Sequence, residues 1–421
     1  MQDQDLKDTV LAIAVAARQA ATTLAQASND QKNLALHHIA KNIRRHAALI
    51  LQANTKDLLA AKQNNLSTAL MDRLLLNAER IAAMANGLEA VAELTDPVGK
   101  ILTKIIRPNG LEIIKKSVPL GVLGVIYESR PNVTADASAL AIKSGNAIIL
   151  RGGSDSFHTS CALMTSITQG LTAAGFPETC VQLIPTVDRE AIYALLQLDE
   201  YVDVIIPRGG QQLIKHIVQH SRIPLFKHLA GICHTYIHRH ADLTTAISIV
   251  VNAKMRRTGI CGATEVLLID QSILSTHLVP IVTALIDAGC TVRGDLQAVT
   301  ADARIQPAFE ADFDTEFLDA VIAVKTVPDL VGAVQHIALH GTHHTDAIIT
   351  TDEQSATTFL EQVDSAIVMH NTSTQFADGG EFGMGAEMGI ATGKLHARGP
   401  IGVEQLTTFK YQVRGQGQVR P

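Results

Sequence analysis

Apolar side chains recur at helical spacing through the first part of the chain, up to about residue 95, with Leu36, Ile39 and Ile43 as one stripe. This stretch, rich in Ala, Leu, Lys and Gln, predicts several packed helices. The texture then changes. Residues 100–117, KILTKIIRPNGLEIIKKS, are β-rich with Asn109-Gly110 at their centre. Asn-Gly between alternating apolar positions is the strongest short-range hairpin signal. A two-stranded arm is marginal by itself, so a further strand is expected to join it.

From Pro119 onward strands and helices alternate. LGVLGVIYE, AIIL, VQLIP and VDVIIP read as buried strands, each followed by a helix. A second alternating block follows Ile237. There TEVLLID, AVIAVKTV, DAIIT and AIVMHN are the predicted strands. Such alternation implies two parallel, doubly wound sheets, whose ligands sit at the carboxyl ends of the strands. The tail opens with a Gly-rich loop, TQFADGGEFGMGAEMG, and ends in a β-like TTFKYQV.

Composition narrows the class. A chain of 421 residues is long enough for two large domains, and 47% apolar with 18% charged residues is ordinary for a folded protein. A net charge of -6 gives no basic footprint for nucleic acid. The N-terminal apolar stretch is interrupted by Arg18 and Gln19, so it reads as a helix and not as a signal peptide. No run of about 18 apolar residues is present, so no membrane span is expected. The five cysteines are scattered without a CxxC pair, which points to free thiols and a cytoplasmic setting.

Cys261 stands out among them. It lies in NAKMRRTGICGATE, with Lys254, Arg256 and Arg257 nearby and Gly259 and Gly262 on either side. Nearby cations lower a thiol's pKa and make it a nucleophile. The other four cysteines read as buried and inert. Two turns, IIPRGG with Arg208, Gly209 and Gly210, and ILRGGSDS with Arg151 and Ser154, place glycine pairs between a strand and a helix. Backbone N–H groups there can hold an anion, although neither turn fits GxGxxG. HGTHHTD, residues 340–346, matches no zinc spacing, and no metal is expected. His238 and His240 read as solvated surface.

Three long segments carry a family resemblance. PLGVLGVIYESRPNVTADASALAIKSGNAIILRGG resembles the cofactor-domain core of the gamma-glutamyl phosphate reductases. VPDLVGAVQHIALHGTHHTDAI is similar to that family's signature segment, and the stretch from DGGEFGMG to TTFKYQVRG is similar to its C-terminal end. The resemblance implies an aldehyde dehydrogenase-like α/β fold. Its parts would be a Rossmann-like NADP-binding domain of residues 1–99 and 118–232, a catalytic domain of residues 233–402, and a small β oligomerisation arm of residues 100–117 and 403–421. It also implies NADPH-dependent reduction of L-glutamyl 5-phosphate to L-glutamate 5-semialdehyde and phosphate, the second step of proline biosynthesis from glutamate. A cysteine thioester, a homo-oligomer in which the hairpin of residues 100–117 pairs with a neighbouring subunit's C-terminal strand, and glutamate 5-kinase as a candidate partner come with it.

By the same resemblance Cys261 matches the catalytic cysteine and Asn132 the asparagine that helps bind the oxyanion. Glu316 matches the glutamate that holds the nicotinamide ribose, and Arg130 and Arg257 are assigned to the substrate. NAD-using relatives carry KPAE where this chain has Arg151-Gly152-Gly153-Ser154, which favours NADPH. Hydrolytic relatives carry a glutamate water base where this chain has His228-Leu229-Ala230-Gly231. Three positions depart from the family: Gly262 replaces Asn, Gln375 replaces Arg, and His238 replaces an acidic residue. The alternatives are a CoA-acylating aldehyde dehydrogenase and an inactive nucleotide-binding protein of the same fold.

Overall fold

The helical stripes of the N-terminal segment build α1 (Asp3–Gln26), α2 (Asn29–Arg45), α3 (Ala47–Gln63), α4 (Thr68–Leu74) and α5 (Ala78–Glu93). Side chains satisfy the first amides of two of them: Ser28 accepts from Gln31 N–H at 3.2 Å and Asn77 from Arg80 N–H at 2.8 Å. Leu36, Ile39 and Ile43 are fully buried, as their spacing predicts. This computed structural model describes residues 3–66, 68–227 and 229–420. The chain divides into two units, one of Met1–Lys227, Gly383–Gly389 and Pro400–Pro421, the other of His228–Phe382 and Ile390–Gly399. Both segments expected to form the arm fall within the first unit.

That unit holds the hairpin of β1 (Ile101–Ile106) and β2 (Glu112–Pro119). It is closed by five residues and not by a two-residue turn, because the last facing pair is Ile106 and Glu112. Within this loop Gly110 alone takes a positive φ, at 83°. Next come β3 (Val122–Tyr127), α6 (Val133–Lys143), β4 (Ala147–Gly152), α7 (Phe157–Ala173), β5 (Val181–Leu183), α8 (Glu190–Leu196), β6 (Val204–Arg208) and α9 (Gln211–His220). The four strands are parallel in the order β5-β4-β3-β6. All residues of β3 and β4 are buried, which explains their unbroken apolar runs. Strand order reverses between β3 and β6, and a crevice for ligands is expected at their carboxyl ends.

The second unit contains β7 (Cys233–Ile237), α10 (Leu243–Met255), β8 (Thr264–Asp270), α11 (Val279–Asp287), β9 (Thr291–Gly294), α12 (Leu296–Ala301) and β10 (Gln306–Pro307). β11 (Val321–Val327), α13 (Leu330–His340), β12 (Thr345–Ile349), α14 (Glu353–Gln362) and β13 (Ile367–His370) follow. The short strands β14 (Ile390–Ala391) and β15 (Gly399–Pro400) come after them. β7 to β13 make one sheet in the order β10-β9-β11-β8-β7-β12-β13. Along β8 the side chains alternate between two cores: Leu267 and Ile269 join Val250 and Leu285, while Val266 and Leu268 join Tyr236 and Phe359. Asp242, Asp295, Asp329 and Asp352 start α10, α12, α13 and α14 by accepting main-chain N–H groups.

The last strand, β16 (Thr407–Arg414), pairs antiparallel with β2 of its own chain, from Thr407 opposite Pro119 to Arg414 opposite Glu112. This corrects the expected pairing with a neighbouring subunit. A long hairpin strand whose inner edge is free is met most readily by the tail of the same molecule. β1 is left at the sheet edge with Ile101, Leu102, Ile105 and Ile106 all exposed. No single helix of the described residues is long and apolar enough to cross a membrane.

Candidate active site

In the second unit, α10 ends at Met255 and β8 begins at Thr264, and Cys261 lies on the connection between them. It is half-buried. Its carbonyl oxygen accepts from the Cys233 thiol at 3.1 Å. The Gly231 backbone lies against that same carbonyl, so close that a Cβ at residue 231 would fall 2.2 Å from the oxygen. The Gly231 N–H donates to Glu316 Oε1 at 2.8 Å. The fold therefore brings together Cys261, Gly231 and Glu316, residues far apart in sequence. Gly231→Ala meets backbone, which cannot swing aside as a side chain can. Turnover in this variant is expected to fall roughly 10²-fold, the scale of an ångström's misplacement, with the fold retained by circular dichroism. Wild-type kcat would show that the contact does not position Cys261.

The cations around Cys261 are arranged differently from the expectation. Lys254 is fully buried and its ammonium is bound to Glu265 at 2.5 Å, so it is not a free charge facing the thiol. Desolvation is the reason, because a buried ammonium needs a carboxylate beside it. The same burial pushes the Glu265 carboxyl up to about 7, against the pull of Lys254. Arg256 and Arg257 are exposed. Three of the other thiols are buried and pushed upward by that burial, Cys180 to about 12, Cys290 to about 11, and Cys233 as well. Cys161 is exposed, which corrects its reading as a buried residue; it lies on the outer face of α7.

Two family departures have local explanations. Gln375 donates from Nε2 to the carbonyls of Ala253 at 2.9 Å and Arg257 at 3.3 Å, and so ties down the end of α10. Gly262 passes close to the Thr374 carbonyl, where a Cβ would lie at 3.2 Å, so a bulkier residue needs a small backbone shift. The third, His238, is buried and not solvated, with Nδ1 2.8 Å from Thr350 Oγ1. The histidines of residues 340–346 diverge: His340 meets Asp314, His343 the Asp364 carbonyl, and His344 Thr345 Oγ1. Among the described residues no group of three or more His, Cys, Asp or Glu side chains is placed to hold a metal ion. Of the segment matched to the water base, His228 lies outside the described residues.

In the first unit the loop 128–132 follows β3, and Arg208, Gly209 and Gly210 follow its neighbour β6, so both lie at the carboxyl ends of paired strands. Glu128 N–H donates to the Arg208 carbonyl at 3.0 Å, and Gly210 N–H donates to Glu128 Oε2 at 3.1 Å. The start of α9 thus already receives a negatively charged oxygen, as a phosphate-binding turn would. Asp155 is turned to Ser129, accepting from its N–H at 3.2 Å and from its hydroxyl. Arg130 is half-buried on the same loop, and Asn132 is exposed at the start of α6.

Arg151 also departs from its expected place. Its side chain is buried, with Nη1 donating to the Gly152 carbonyl at 3.0 Å and Nη2 to the carbonyls of Val187 at 2.8 Å and Asp188 at 3.2 Å. The guanidinium fastens a neighbouring loop and is not presented to a cofactor phosphate. Ser154 is exposed, and the residue that starts α7 is Ser156.

The chain belongs to the aldehyde dehydrogenase family, whose sequence profile matches residues 1–294. The gamma-glutamyl phosphate reductase of Paramagnetospirillum magneticum is 58% identical over 421 residues, covering 100% of both chains. That of Rhodospirillum rubrum is 54% identical over 417 residues, covering 99% of this chain and 98% of the relative. The crystal structure of the gamma-glutamyl phosphate reductase of Thermotoga maritima matches at 39% identity with a TM-score of 0.96, over 98% of this chain and 100% of that one. A nicotinamide cofactor follows from the family.

Proposed function

We propose that this chain reduces L-glutamyl 5-phosphate to L-glutamate 5-semialdehyde and phosphate with NADPH, through a thioester on Cys261. The observation that carries the reading is full-length likeness to gamma-glutamyl phosphate reductases. The half-buried Cys261 beside Gly231 and Glu316 supports it. In this reading the Cys261 thiolate attacks the acyl carbon, and the carbonyl electrons move onto oxygen. Asn132 and the Cys261 N–H are the assigned donors to that oxyanion. As the oxyanion collapses, the bond to phosphate breaks and the thioester remains. The nicotinamide supplies, when bound, the hydride that brings the acyl group to the aldehyde level. Cys261 then departs as thiolate.

Several residues are assigned around this sequence. Glu316 is the candidate for the nicotinamide ribose, using the carboxylate oxygen not taken by Gly231. Arg130 and Arg257 are assigned to the anionic groups of the substrate. Leu229, Ala230 and Gly231 offer no carboxylate to activate water, which protects a thioester meant for phosphate exchange.

The cofactor is assigned to the first unit, where Gly209 and Gly210 open α9 at the strand-order reversal and the Gly210 N–H already holds a carboxylate. The preference for NADPH rests on Ser154, an exposed hydroxyl where NAD-using relatives carry a glutamate; Arg151 no longer contributes. Ser154→Glu places a carboxylate that repels a 2′-phosphate. It should lower kcat/KM for NADPH about tenfold or more, the scale of one charge-assisted contact, and leave NADH nearly unchanged. Steady-state kinetics with both cofactors on wild type and variant decide this. A wild type that prefers NADH overturns the assignment.

A homo-oligomer is proposed because the exposed isoleucines of β1 form an apolar edge, a liability if left uncovered. Sedimentation should give a species larger than one chain, and Ile106→Lys should weaken it. A stable, active monomer would count against the proposal. A cytoplasmic setting and a kinase that supplies the labile acyl phosphate complete the reading.

A further inference from the structure

We propose that Asp136 is a positioning residue that fixes which end of the Asn132 side-chain amide faces the reaction. Asn132 opens α6, a place where asparagine usually accepts a main-chain N–H with its side-chain oxygen. Here it makes no such bond, and its backbone is already helical at φ -59° and ψ -28°. Instead Nδ2 donates to Asp136 Oδ2 at 2.9 Å, one helical turn further on. Residues four apart on a helix lie one above the other, so this contact is built into α6.

The chemistry of the pair makes the bond directional. A carboxylate only accepts hydrogen bonds, so it selects the NH₂ end of the amide and rejects the oxygen end. An NH₂ group has two hydrogens. One is taken by Asp136, and the other stays available to a developing oxyanion. With a neutral acid at residue 136 the choice disappears, because an acid can donate to the amide oxygen or accept from its nitrogen. The charged group that faces Asp136 is Arg208, at the end of β6, which favours the carboxylate. Burial works the other way and pushes Asp136 up to about 6, so the orienting charge is present near neutrality and fades as pH falls through about 6.

This inference rests on the assignment of Asn132 as an oxyanion donor, and one set of variants separates the two. Asn132→Ala should lower kcat by roughly 10²–10³-fold, as for loss of one donor. Asp136→Ala should lower kcat by roughly tenfold or more with KM little changed, since misplacing a group is less severe than deleting it. In the Asn132→Ala background, Asp136→Ala should add nothing. Asp136→Asn, whose amide, like the neutral acid, can either donate or accept, should not restore the turnover and should remove the acid limb near pH 6 from the kcat profile. Wild-type kcat in Asp136→Ala beside a damaged Asn132→Ala overturns the positioning role alone. An unchanged Asn132→Ala overturns both. If the two losses multiply in the double variant, Asp136 acts elsewhere and the inference fails.

Discussion

Replacing Cys261 by alanine should abolish reduction of the acyl phosphate while NADPH still binds. The expected loss in kcat is about 10⁴-fold or more, because a missing nucleophile removes the covalent route altogether. The NADPH dissociation constant, followed by quenching of nicotinamide fluorescence, should stay within about twofold of wild type, since a binding contact that is kept adds no term to affinity. Cys233 is the control. Its thiol is fully buried, is raised well above the ordinary range by that burial, and donates to the Cys261 carbonyl. Cys233→Ala should therefore retain most activity. Substantial turnover in Cys261→Ala, or an equal loss from Cys233→Ala in a folded protein, would move the nucleophile elsewhere.

The second large effect is on stability. Lys254 and Glu265 are both fully buried, 2.5 Å apart, and stand at the two ends of the connection that carries Cys261. Glu265 also accepts from Leu318 N–H at 3.3 Å. Glu265→Leu leaves an ammonium buried without its partner, and such a loss costs about 3–5 kcal/mol. Adding Lys254→Met removes the stranded charge, and the double variant should recover most of that stability. Urea unfolding followed by circular dichroism measures both. A single variant within about 1 kcal/mol of wild type would mean the pair is dispensable. A double variant as unstable as the single one would place the effect in packing or in the Leu318 contact.

Much of the fold is legible in the sequence because its physics is local. The stripe of Leu36, Ile39 and Ile43 is a helix face, and the unbroken apolar run at Val122–Tyr127 is a strand covered on both sides. β9 and β10 escape the pattern because they are short: β9 carries threonine and arginine, and β10 is only Gln306–Pro307. Around the site, residue type was readable and direction was not. Lys254 looks like a cation beside a thiol, yet burial turns it to Glu265. Arg151 looks like a phosphate ligand, yet its guanidinium is consumed by carbonyls from the loop at Val187. Both outcomes depend on partners brought close by folding. Asp136 is the opposite case: its spacing of four from Asn132 is plain in the sequence, and the helix alone suffices to bring them together.

The central claim is that the acyl group on Cys261 exchanges with phosphate. The most direct measurement runs the reaction backwards, following NADP⁺ reduction by L-glutamate 5-semialdehyde with purified protein. Reduction should require inorganic phosphate, rise with its concentration to saturation, and fail when CoA replaces it. Equal rates without phosphate, or a rate that depends on CoA, would contradict the account.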